Sequence, residues 1–220
     1  MLHRSIVDFT ILNHRNNCSD FTFFLQKNCR KNIYPPGFQG CFLSRYHKLI
    51  IMHIDKCASS SISDFCIHSD YFHDMSFRIY DVKLLNKFVK SNNYFFLSII
   101  RNPVDRYISG LQEFIRRYNI PDKFIEESLK SNKFIFDEHT SPQYIFLKHC
   151  HHNLKSIKLD KHLSKKLSSI LGYDVNLPKL NDSDIYLKIK STNLFEKYLK
   201  DNEKFYDVYK KDFELFEKAD

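Results

Sequence analysis

The sequence predicts a three-layer α/β fold with a mostly parallel central sheet, and three features carry that expectation. Lys48-Leu49-Ile50-Ile51-Met52-His53-Ile54 is a nearly continuous apolar run, the pattern of a strand buried on both faces. Tyr94 to Ile100 is a second run of the same kind. Each run leads within a few residues into a helix start, and a strand feeding a capped helix, twice, is the construction of a doubly wound sheet.

The elements follow in chain order. The segment before Tyr46 reads as irregular, broken by the turn Tyr34-Pro35-Pro36-Gly37. After the first strand, Ser60 to Ile67 sets Ile62, Phe65 and Cys66 at helical spacing. Asp81 is suited to cap a helix whose apolar face is Leu84, Leu85, Phe88 and Val89. Behind the second strand, Asn102 stands at N-cap, Pro103 at the first helical position and Asp105 in the first turn, where the helix dipole favours an acid. Val104, Tyr107, Ile108, Leu111, Phe114, Ile115 and Tyr118 mark the apolar face of that helix. Later helices are expected at Leu163–Leu171, closed by Gly172, at Asn193–Lys200 and from about Phe205 to Phe216. No repeat or low-complexity linker divides the chain, so a single domain over residues 1–220 is expected, with 1–46 irregular and 47–220 its core.

Composition narrows the function classes. Lys and Arg number 34 against 26 Asp and Glu, a net charge of +8 that suits polyanionic partners. The basic residues are spread out, and no nucleic-acid-binding signature interleaves them with aromatics, so no nucleic acid is expected as a partner. The six cysteines, Cys18, Cys29, Cys41, Cys57, Cys66 and Cys150, form no C-x-x-C pair and read as reduced thiols. Residues 1–17 have no signal-peptide core, and no apolar run is long enough to span a bilayer. A cytoplasmic protein is expected.

Two loops carry chemistry. The first strand ends at Ile54 and is followed by Asp55-Lys56-Cys57-Ala58-Ser59-Ser60-Ser61. Small residues there let backbone N–H groups converge at a helix N-terminus, while one ammonium and three hydroxyls add donors, which suits a phosphate or sulfate. The second strand ends at Ile100 and runs into Arg101-Asn102-Pro103-Val104-Asp105-Arg106-Tyr107-Ile108-Ser109. Arg101 can fork two N–H donors toward a phosphate, and Ser109, seven residues past the N-cap, faces the side of the helix mouth. Either loop alone could be an ordinary turn. Together they fit a ligand with two separated anionic groups, bound at P-loop-NTPase-like strand–loop–helix phosphate sites.

These segments resemble a known family. Residues 54–61 resemble the 5′-phosphosulfate loop of PAPS-dependent sulfotransferases, where PAPS is 3′-phosphoadenosine 5′-phosphosulfate, and Phe95 to Ser109 is similar to their 3′-phosphate motif almost residue for residue. His139-Thr140-Ser141-Pro142-Gln143 resembles a His-x-x-Pro-Gln element of the carbohydrate branch. Leu171-Gly172, Pro178, Asn181-Asp182-Ser183 and Tyr209 to Phe216 are similar to its closing segments. The resemblance spans roughly Lys48 to Phe216. It implies PAPS as sulfuryl donor, a hydroxyl acceptor on a carbohydrate, Lys56 on the 5′-phosphate and bridging oxygen, Cys57, Ala58, Ser59, Ser60 and Ser61 as further 5′-side contacts, and Arg101 and Ser109 on the 3′-phosphate. Asp55 replaces the family's usual Pro, Ser59 its loop Gly, and Gly110-Leu111 an aromatic that often follows the 3′-site Ser. Ser visits positive φ less readily than Gly, and this bears on how closely the loop can approach its ligand.

In the implied reaction an acceptor oxygen attacks sulfur as the phosphate oxygen leaves, and Lys56 meets the charge growing on that oxygen. His139 leads as general base because it stands in a family-like motif and histidine is a residue type suited to proton transfer near neutral pH, followed by His73 and His68, with Asp55 and Glu113 behind them. His149-Cys150-His151-His152 suggests a metal, but adjacent side chains rarely converge on one ion and no second ligand pair lies at zinc spacing, so no metal is expected. A nucleotide kinase would need G-x-x-x-x-G-K-[S/T], whereas here the Lys precedes the small residues and the loop has no Gly. A basic binding module that kept the fold without turnover is the other alternative.

Overall fold

The structure, a computed structural model, describes residues 38–78, 82–148, 150, 153–178 and 185–220. The expected turn at 34–37, the Asp81 cap, His149, His151, His152 and Asn181 to Ser183 lie outside them. The chain is α/β. The described residues form a five-stranded sheet in the order β3-β1-β2-β4-β5, from β1 (Phe38–Ser44), β2 (Leu49–Met52), β3 (His73–Arg78), β4 (Phe95–Ile100) and β5 (Leu154–Lys158). β2 pairs parallel with β4 and β4 with β5, while β1 runs antiparallel to both β2 and β3. Four of the five strands therefore point the same way.

The two apolar runs are the central strands, as their composition predicts. All four residues of β2 are buried, and so is β4 apart from half-buried Phe95. β1 is a correction, because it falls within the segment read as irregular. It is joined to β2 by the four-residue turn Arg45-Tyr46-His47-Lys48, with Lys48 at φ 54°. Cys41, Phe42, Leu43 and Ser44 are all buried, since the strand lies inside the sheet between β2 and β3.

The first three helices sit where the sequence puts them. α1 (Ser59–Ile67) follows β2, α2 (Val82–Ser91) follows β3, and α3 (Pro103–Tyr118) follows β4. The Asn102 side chain caps α3, accepting from the Val104 and Asp105 amides at 3.0 and 3.3 Å. α4 (Asp122–Lys130) and the one-turn α5 (Tyr144–Leu147) were not read from the sequence. α6 (Leu163–Leu171) ends at Gly172 with φ 78°, the expected left-handed stop. α7 (Ile185–Tyr198) begins earlier than its apolar spacing suggested, and α8 (Glu203–Lys218) closes the chain. One apolar core surrounds the sheet, and a second joins α3, α4, α7 and α8 through Tyr107, Leu111, Ile125, Phe195 and Phe205. No helix of the described residues is long and apolar enough to cross a membrane.

The connections set up the site. From β2 the chain passes through α1 to β3, on the β1 side of the sheet, whereas from β4 it passes through α3 to β5, on the opposite side. The loops after β2 and β4 thus leave neighbouring parallel strands in opposite directions. Such a switch point opens a crevice at the carboxyl ends of the strands.

Candidate functional site

The loop after β2 is held in an unusual backbone conformation. Lys56 has φ 64° and Ala58, the residue before α1, has φ 58°. Ser59, where the sequence suggested difficulty, is the first residue of the helix, so the left-handed positions fall on either side of Cys57 instead. A left-handed non-glycine residue costs about 1–2 kcal/mol, and strain of this kind collects where function requires it. Ser59 and Ser61 are half-buried and Ser60 is exposed at the start of α1. Cys57 turns inward: its amide donates to the Ile54 carbonyl at 3.2 Å and its thiol to Gln143 Oε1 at 3.1 Å. Burial pushes that thiol up to about 11, so it stays protonated.

The loop after β4 touches the first. The Arg101 guanidinium donates to the Lys56 carbonyl at 3.3 Å. Ser109 is half-buried on α3, about 10 Å along the axis from the N-cap at the usual rise. Lys56, Ala58 and Arg101 therefore lie together beyond the carboxyl ends of β2 and β4.

Two side chains that sequence reasoning gave no role join these loops to residues 137–143. Arg106 is 1% exposed, and its guanidinium donates to the carbonyls of Asp55 at 2.9 Å, Glu138 at 3.3 Å and Ser141. Gln143 is fully buried and reaches both loops, accepting from the Cys57 thiol and from the Arg101 amide at 3.0 Å while donating to the Arg101 carbonyl at 2.8 Å. Asp212 of α8 in turn accepts from the amides of Gln143 at 2.6 Å and Tyr144 at 2.8 Å. At Gly110 of α3 a Cβ would lie 2.1 Å from the His139 carbonyl oxygen, so the helix and the 137–143 segment approach closely there.

The Lys56 ammonium rests 3.2 Å from Glu113 Oε2. Glu113 also meets Arg116 at 2.6 Å and Arg117 at 3.5 Å. Burial opposes its charge, but the Arg116 hydrogen bond and the neighbouring Lys56 outweigh burial and hold the carboxyl down at about 2. Its folded value lies below the ordinary 4.5, so the stability it contributes is complete above about pH 4.5 and is lost as pH falls toward about 2. Urea midpoints at about pH 5 and about pH 3 should fall less in Glu113→Gln than in the parent. Equal losses in the two proteins would show that the Lys56–Glu113–Arg116 cluster does not stabilise the fold. Asp55 is likewise lowered: burial opposes its charge, and His53, His139, Arg106 and Lys56 outweigh it.

The His139 side chain is only 7% exposed, and both ring nitrogens are engaged. Nδ1 lies 2.9 Å from Asp137 Oδ2 and Nε2 lies 3.4 Å from the Arg117 guanidinium. Taking a proton from an acceptor would require Arg117 to leave Nε2. Asp137, Glu138 and His139 bring three potential ligand atoms within 4.8 Å of one another. The Asp137 carboxylate, however, already accepts from the His139 and Thr140 amides, so the group closes a turn. His68 is exposed, with Nδ1 on the Asp64 carbonyl at 2.8 Å, and His73 opens β3. Of the four-residue His/Cys cluster only Cys150 is described, and it is buried. A surface hollow of about 540 Å³ at the α7–α8 turn includes none of the loop residues.

Set against protein-family models, curated proteins and solved structures, the chain matches none of them.

Proposed function

We propose that the chain is a single-domain, PAPS-dependent sulfotransferase that transfers a sulfuryl group to a carbohydrate hydroxyl. The observation that carries this reading is the meeting of two anion-suited loops at the switch point of the sheet, with Arg101 bonded to the Lys56 carbonyl. With right-handed crossovers, the opposite directions of β2→β3 and β4→β5 put α1 on one face and α3 on the other, which is the three-layer arrangement. Backbone reversals at Lys56 and Ala58 favour a concave run of N–H groups for the 5′-phosphosulfate. Cys57 belongs to this loop as its inward anchor, and Ser59, Ser60 and Ser61 supply donors at the start of α1. Arg101 and Ser109 hold the 3′-phosphate. A ligand with two phosphates suits this pair of sites better than one with a single triphosphate chain.

In the reaction, an acceptor oxygen forms a bond to sulfur as the bond from sulfur to the 5′-phosphate oxygen breaks, and that oxygen leaves with the electron pair. Lys56 stabilises the leaving oxygen, and the acceptor proton passes to a base. The test is binding of adenosine 3′,5′-bisphosphate, the desulfated donor. At about 100 times its Kd it should stabilise the protein by about 2.7 kcal/mol, while ATP and GTP raise Tm much less. An unchanged Tm at millimolar bisphosphate would remove the sulfotransferase reading.

One observation favours a second reading, a non-catalytic anion-binding protein on the same fold. The Lys56 ammonium is already paired with a carboxylate that is itself held by arginines. Binding of the bisphosphate without sulfuryl transfer to any member of a glycan panel would identify that case.

A further inference from the structure

Both nucleotide loops are tied to the same buried amide. Gln143 Oε1 accepts from the Cys57 thiol in the first loop and from the Arg101 amide in the second, while Nε2 returns a bond to the Arg101 carbonyl. The side chain is fully buried and its backbone amide is bound to Asp212, so it cannot shift without disturbing α8. We propose that Gln143 is a positioning residue that fixes the separation of the two anion loops, so that a ligand with phosphates at both ends engages them as one unit. This rests on the reading of the loops as the two ends of a single nucleotide site.

The physical argument is one of effective concentration. Once one phosphate is bound, the other meets its loop intramolecularly, and the gain depends on a correct fixed spacing. A buried residue with bonds to both loops sets that spacing. It needs no contact with the ligand, because both ends of its amide are engaged by Cys57 and Arg101. Loss of Gln143 should therefore harm two-ended ligands more than one-ended ones. A residue with only a general structural role would harm both alike.

The test uses Gln143→Met, which keeps the length and removes the amide, beside Cys57→Ala, which releases only the first loop and covers the case in which the Met variant does not fold. Kd would be measured for adenosine 3′,5′-bisphosphate, adenosine 5′-monophosphate and adenosine 3′-monophosphate. Gln143→Met should weaken the bisphosphate roughly tenfold or more and each monophosphate less than about twofold, with a smaller loss of the same pattern in Cys57→Ala. Equal weakening of all three ligands, or of none, would overturn the proposal. Amide hydrogen exchange on the ligand-free variants gives a reading that needs no nucleotide. Exchange at Arg101 and across residues 55–61 should speed up together in Gln143→Met, and unchanged exchange at either loop would also overturn it. If the parent protein ignores the bisphosphate, the sulfotransferase reading falls, and the exchange result still decides whether Gln143 couples the loops.

Discussion

Lys56→Ala is expected to lower turnover by about 10²–10³, the scale found when a single preorganised donor is removed from a developing oxyanion. In the proposed reaction, charge on the bridging oxygen grows only as the sulfur–oxygen bond breaks, so the ammonium would contribute more in the transition state than in the ground state. Its loss should appear in kcat, with bisphosphate affinity changed by only about 1 kcal/mol. Arg101→Ala is the contrast: in the proposed site Arg101 would face a phosphate that stays charged throughout, so its removal should weaken donor binding by roughly 1.5–3 kcal/mol. The Lys56–Glu113 pair sharpens the expectation, because the ammonium must exchange a carboxylate 3.2 Å away for the donor. Lys56→Arg retains the charge but displaces it, and should remain impaired. The measurement is turnover at saturating donor, with hydrolysis of PAPS to water standing in until an acceptor is known. Wild-type turnover by Lys56→Ala would make Lys56 a loop residue whose role is its ion pair.

Much of the fold was legible because periodicity reports burial directly. β2 and β4 are central strands with both faces covered, and a continuous apolar run of that length finds the burial it needs in the middle of a parallel sheet. α3 announced itself through Asn102 and Pro103, and α6 through Gly172. The missed strands lie at or toward the β3 and β5 edges of the sheet. β5 is an edge strand without a clean alternation, Leu154-Lys155-Ser156-Ile157-Lys158, with its two apolar residues on opposite faces and its lysines over the rings of Phe95 and Phe216. Its outer edge pairs with the last residue, where the Asp220 amide donates to Ser156 and the Lys158 amide to the Asp220 carbonyl. β1 was hidden in the sequence by the Pro35-Pro36-Gly37 run that precedes it and by the short charged turn after it.

Within the site, the residues that look outward were easier to read than those that look inward. Lys56, Arg101 and the serines stand in a loop-and-cap grammar with a direct chemical meaning. Gln143 and Asp212 act through the backbone of distant segments, 42 and 69 residues apart from their partners in sequence, and no local pattern encodes such a bond. Glu113 was named as an outlying base, whereas its ion pair with Lys56 depends on where α3 crosses the first loop. Arg106 did leave a signal. It shares the buried face of α3 with Pro103, Tyr107, Gly110 and Phe114, and a charged residue in an apolar stripe needs a buried set of partners.

Those partners make Arg106→Met the second large effect. Three backbone carbonyls, of Asp55, Glu138 and Ser141, receive its guanidinium inside the protein, and a thioether returns none of those donors. A buried acceptor left unpaired costs about 1–3 kcal/mol, which is partly offset because methionine no longer carries a charge out of water. The net loss should be about 3 kcal/mol. For a chain of this length that is a fall in Tm of roughly 6–12 °C. Arg106 also favours the charge on half-buried Asp55 and buried Asp212, so the variant disfavours both carboxylates at the same time. Arg106→Lys should recover only part of the loss, since one ammonium cannot span carbonyls from residues 55, 138 and 141 as a planar fork does. Because the bonds from Arg106 join the Lys56 loop to the segment leading into Gln143, bisphosphate affinity should fall along with stability. Thermal unfolding of the three proteins under one buffer condition is the measurement. A Tm for Arg106→Met within about 1–2 °C of the parent would show that water or rearranged backbone replaces the guanidinium, and that the two loops are held together without it.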